Sequence, residues 1–86
     1  MVKAIATISL VGASQMEGFQ ALQHLYRYVN GISDVEVSIG FVPTADGVDL
    51  EVEVWVPRED LLSHFAGLLM SRVKEAWAGG ATFRAH

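Results

Sequence analysis

The chain contains no cysteine. That absence excludes disulfide bridges, thiol nucleophiles, cysteine-based zinc sites and ordinary iron–sulfur clusters. It also favours a reducing compartment, so the cytoplasm is the expected location. Bases are scarce: six Lys and Arg stand against ten Asp and Glu, for a net charge of −4. So few cations argue against a nucleic-acid partner, because phosphate binding needs a clustered basic surface. No apolar run approaches the length of a membrane span, so no membrane association is expected. HExxH, GxGxxG and phosphate-loop patterns are all missing, and no resident metal or cofactor is implied.

Apolar residues are what the chain has in quantity, at 51% of the composition and a mean hydropathy of +0.32. Such a composition folds rather than remaining disordered. Eighty-six residues make one domain, spanning 1–86. A domain this small buries a modest fraction of its surface, so its stability is marginal unless association adds to it.

Periodicity sets out six elements. Val2 to Val11 alternates, with Val2, Ala4, Ala6, Ile8 and Leu10 on one face of a strand. A small-residue triplet, Val11-Gly12-Ala13, faintly imitates a leader cleavage site. The stretch before it is too short and too polar for a leader, and reads as a first strand. Ser14 and Glu17 make a capping-box pair. Beyond it Phe19, Leu22, Tyr26 and Val29, widened by Leu25, predict an amphipathic helix with a left-handed cap at Asn30-Gly31. Asp34 to Val42 and Val48 to Val56 alternate around Pro43-Thr44-Ala45-Asp46-Gly47, which predicts a hairpin. Pro57 marks a second helix start, with Glu59 and Asp60 in its first turn. Leu62, Phe65, Leu69, Val73 and Ala76 form its stripe, which Leu61, Leu68, Met70 and Trp77 widen. Gly79-Gly80 stops it, and Ala81 to His86 alternates as a last strand. The order β-α-β-β-α-β predicts an α+β, ferredoxin-like fold: a four-stranded antiparallel sheet in the order 4-1-3-2, with two helices on one face. The other face would be bare in a monomer.

Charge is unevenly distributed. Asp34 to Asp60 carries eight acids and only Arg58, a local charge of −7; the remainder carries +3. The hairpin strands, second and third, would be acidic, and the first and fourth strands mildly basic. A charge run is commonly just a solvated face. It also permits a second copy, rotated by 180°, to lay acid over base. Glu51 and Glu53 share one side of a strand, as acid/base pairs do, and equally as an exposed sheet face does. Asp60 and His64 stand four apart, within reach across a helix turn. His86 is the last residue. Trp55 alternates with acids and belongs on the bare face beside Ile5 and Val42. There it could be an ordinary exposed aromatic, a subunit contact or a platform for a flat ligand.

Leu10-Val11-Gly12-Ala13-Ser14, followed by a helix and two strands, resembles the start of the dodecins, small flavin-binding dodecamers. The chain departs from them by adding residues 57–86. Val35 and Val37 also stand where the second strand would begin with tryptophan, so flavin binding is not carried over. The general layout is similar to ACT-type regulatory domains and to dimeric α/β-barrel enzymes, and layout alone does not assign function.

Three functions compete. The first is a non-enzymatic interaction or regulatory module that self-associates or docks on a protein partner. The second is a small-molecule-binding module with its ligand at a subunit interface or against Trp55. The third is a barrel-type enzyme using Glu51, Glu53, His86 or Arg84 between two sheet faces. The lack of a catalytic constellation favours the first, as a homo-oligomer. Its candidate interface or ligand residues are Trp55, Glu51, Glu53, Ile5, Val42, Leu61, Leu68 and Arg84.

Overall fold

The computed structural model describes residues 2–31 and 35–86. Six elements follow in order: β1 (Val2–Val11), α1 (Gln15–Val29), β2 (Glu36–Thr44), β3 (Gly47–Val56), α2 (Leu61–Ala76) and β4 (Gly80–Ala85). All strand pairs are antiparallel and the sheet order is β2-β3-β1-β4. This is the expected ferredoxin-like arrangement. The alternation seen in the sequence becomes the two sheet faces. Ile8, Leu10, Val48, Leu50, Val52 and Val56 are essentially fully buried on the side that carries both helices.

The hairpin turn is tighter than Pro43–Gly47. Pro43 and Thr44 belong to β2, and the loop is Ala45-Asp46 alone, with Thr44 paired to Gly47. A two-residue loop here needs glycine after it, because a Cβ on Gly47 would strike the Leu10 carbonyl. The Gly12 amide donates to the Asp46 carbonyl at 2.6 Å and ties the loop to the end of β1. The expected first residue of β2, Asp34, lies outside the described residues.

The start of α1 follows the capping box closely. Ser14 Oγ accepts from the Glu17 amide at 3.1 Å, and Glu17 Oε1 accepts from the Ser14 amide at 3.0 Å. Its C-terminus departs from expectation. Asn30 is right-handed helical and Gly31 closes a further turn onto Tyr28, so no left-handed cap forms. The buried stripe is also rotated. Gly18, Ala21, Leu25 and Val29 face the sheet, while Phe19 is exposed. Gly18 is the reason: a Cβ there would lie 2.7 Å from a Val48 methyl, so the helix rests on the sheet through its smallest residues. Tyr26 stays half-buried and reaches over the free edge of β2. Its hydroxyl accepts from the Ile39 amide at 2.9 Å and donates to the Ile39 carbonyl at 3.3 Å. That occupies a backbone pair which an open edge would offer to another strand.

α2 begins at Leu61, later than Pro57 suggested. Arg58 and Glu59 accept from Leu61 and Leu62 in a lead-in turn, so Glu59 and Asp60 precede the helix instead of forming its first turn. It ends at Ala76, where Trp77 turns to extended backbone. The Trp77 indole N–H donates to the Gly80 carbonyl at 3.2 Å and folds the ring over the core. Phe65, Leu69 and Val73 are buried, and Ala76 is exposed.

The contact at Gly18 is testable. Val48 is β-branched and stiff, so it cannot swing clear of an added methyl. Gly18→Ala is expected to lose about 1–2 kcal/mol in urea unfolding, overpacking outweighing the gain in helix propensity. Combining it with Val48→Ala should cost less than the sum of the two single changes.

Candidate functional site

The pleat fixes what the uncovered face presents. Lys3, Ile5, Thr7, Ser9 and Val11 of β1 point there, with Asp49, Glu51, Glu53 and Trp55 of β3, Glu36, Ser38, Gly40 and Val42 of β2, and Thr82 and Arg84 of β4. Register arranges them in rows across the sheet. One row runs Glu36, Trp55, Lys3. The next runs Ser38, Glu53, Ile5, and His86 extends it, its backbone N–H donating to the Ile5 carbonyl. A third runs Gly40, Glu51, Thr7, Arg84.

Six of the residues singled out in the sequence therefore share this face: Trp55, Glu51, Glu53, Ile5, Val42 and Arg84. Leu61 and Leu68 do not join them. They sit half-buried on α2, around a groove of about 290 Å³ that His64 and Tyr28 also line. Ile5, Val11 and Val42 are 39%, 53% and 42% exposed, so the face mixes apolar and charged groups. The Lys3 ammonium lies 5.4 Å from the Trp55 ring centroid and 3.6 Å from Glu53 Oε1. Both charged partners are well exposed, and such a pair adds little stability. Among the described residues, Asp49, Glu51 and Arg84 take part in no ion pair. The Asp60–His64 contact does not form either. Asp60 stands before the helix and pairs with Arg58 at 3.4 Å.

Thr7 gives no sign in the sequence of its environment. It faces outward yet is only 4% exposed, because the strands on both sides and His86 cover it. Thr7 Oγ1 and His86 Nε2 are 2.6 Å apart and hydrogen-bonded. Spacing could not show this pair, since the two residues lie at opposite ends of the chain. Among the described residues no three His, Asp or Glu side chains cluster to hold a metal, and no helix is long and apolar enough to cross a membrane.

A second polar cluster ties the helices together. Glu75 accepts from His24 Nε2 of α1 at 3.0 Å and from Arg72 on its own helix at 3.1 and 3.2 Å. The Arg72 guanidinium in turn lies 4.4 Å over the Tyr28 ring. The His24 N–H and the Arg72 guanidinium hold the Glu75 carboxyl below its ordinary value, while Glu75 raises Arg72.

No protein-family model matches the chain, and no curated protein matches its sequence.

The Glu75 cluster predicts a pH dependence. A carboxyl held below its ordinary value near 4.5 contributes stability above that pH and loses it as the pH falls through the native value. Glu75→Gln should melt lower than the wild type at neutral pH. The two melting curves should converge once acid protonates the wild-type carboxylate. A difference that persists in acid would assign the effect to packing instead.

Proposed function

We propose that the chain is a small interaction module that pairs with a second copy through its open sheet face. One observation carries this reading: acids and bases are segregated across the face, and among the described residues Glu51 and Arg84 take part in no ion pair. Consider a two-fold axis parallel to the strands, above the boundary between β1 and β3. It sets β3 over β1 of the partner and β2 over its β4. Lys3 of one copy then meets the Trp55 ring of the other. His86 comes over Ser38, next to Glu53. Arg84 comes over Gly40, whose missing side chain leaves room for it beside Glu51. In one row a cation meets an aromatic face, and in the next two His86 and Arg84 come diagonally beside an acid, within the roughly 30° rotation usual for packed sheets.

Complementary potentials of this kind give orientation and partner choice more than raw affinity. The exposed apolar atoms of Ile5, Val11 and Val42 would supply the burial that charge alone does not. The small size of the domain also favours gaining stability by association.

Sedimentation at tens of micromolar and low salt is expected to show a dimer that weakens as salt is raised. Arg84→Glu and Glu51→Arg should each give monomers, and mixing the two should restore a heterodimer. A wild-type monomer under those conditions would overturn the proposal. So would a dimer indifferent to both substitutions.

A further inference from the structure

The layer between α2 and the sheet is not filled. Ala4 and Ala6 of β1, with Val52 and Val54 of β3, form the floor of a cavity of about 340 Å³. Leu62, Phe65, Ala66 and Leu69 of α2 roof it, and Phe83 and Ala85 of β4 close its outer side. Of the side chains around it, only Ser63 carries a polar group. Most of the floor is deeply buried, whereas Ser63, Ile5 and Ala85 are exposed and mark the mouth.

The sequence explains why the space exists. On the same face of β1, Ile8 and Leu10 are large and fully buried, but positions 4 and 6 are alanine. Opposite them, position 66 of the helix and position 85 of the edge strand are alanine too. α2 packs mainly on α1 and rests lightly on β4, so it does not descend into the gap. Pairing with β4 covers β1 only from Ala6 onward, which leaves the stretch from Val2 to Ala4 without a neighbour at the mouth. Protein interiors are normally packed as tightly as organic crystals. A carbon-lined cavity of about 150 Å³ already binds benzene.

We propose that this cavity is a binding site for a small, uncharged, apolar molecule, of the size of one or two aromatic rings or a short branched aliphatic chain. No charged side chain lines it, so an ionised ligand would lose hydration without compensation. The Ser63 hydroxyl offers a single hydrogen bond to a ligand oxygen at the mouth. The volume lies within the usual range for ligand pockets, about 300–1,000 Å³. This site is on the helix side, away from the face proposed for pairing, and needs no second copy.

The test uses N-phenyl-1-naphthylamine, a neutral probe that brightens in apolar surroundings. Titration into the full chain is expected to saturate at one probe per chain. Ala66→Leu fills the cavity from the roof and should weaken binding by at least about tenfold, with the melting temperature held or raised. Ala85→Leu fills it from the exposed edge and should also weaken binding, which keeps the test valid if Ala66→Leu folds poorly. Glu51→Arg, on the other sheet face, should leave binding unchanged. The proposal is overturned by absence of saturable binding, by unchanged affinity in both filling variants, or by loss of binding in Glu51→Arg, which would mean that association creates the site.

Discussion

The rest of the molecule depends on one pairing: β1 against β3, ten residues in unbroken antiparallel register from Val2↔Val56 to Val11↔Gly47. These are the two central strands. Because side chains alternate strictly, this register decides the face of every residue on both. It puts Ala4, Ala6, Ile8 and Leu10 with Val48, Leu50, Val52 and Val54 under the helices, and Lys3, Thr7, Glu51 and Trp55 outside. A slip by one position would drive the acids into the core and the valines into water. The Ala45-Asp46 loop and the Gly12–Asp46 hydrogen bond pin the end of that register.

The two helices meet this common floor in different ways. α1 comes down hard, because Gly18 lets its backbone approach Val48. α2 is held up: its bulky Phe65 and Leu69 reach the sheet, while the alanines below and within it leave a gap. Side-chain volume, more than helix propensity, governs how each helix rests on the sheet. The Glu75 cluster then bridges the two helices from the solvent side, through long side chains.

Much of the layout was legible in the sequence, for a reason visible in individual residues. Val48 to Val56 alternates without exception, and β1 begins and ends where its pattern does. The capping box is local chemistry, complete within Ser14 to Glu17. What could not be read depends on the third dimension. Phe19 looked like core because helical spacing scores hydrophobicity, whereas the helix presents its smallest residues to Val48. The turn after Pro57 delays α2 because the Arg58 and Glu59 carbonyls close a lead-in turn before the helix proper. Asp60 and His64 have helical spacing but do not share a helix. Thr7 with His86, and His24 with Glu75, are contacts between distant segments, invisible to any local pattern. Of the candidate site, the face was legible for six residues, because strand parity carries that information. Leu61 and Leu68 belong to the helix layer, and helical residues carry no parity with the sheet.

The open face and the cavity lie on opposite sides of β1, β3 and β4, and of these strands β1 has the end held least. Ala4 and Ala6 look into the cavity, and Ile5 and Thr7, alternating with them, look out. From Ala6 onward β1 is hydrogen-bonded on both sides, so a molecule in the cavity meets a stiff floor there. From Val2 to Ala4 only β3 holds the strand, and Ile5 has in addition the His86 amide. This is the compliant end of the strand, and it carries Lys3 and Ile5, which lie next to Trp55 and Glu53 on the outer face. Interiors transmit displacement because they are close-packed. The most compliant route by which an occupied cavity could act on pairing of the outer faces is therefore the segment Val2 to Ile5. Its size is bounded by how differently a ligand contacts the positions that segment can take.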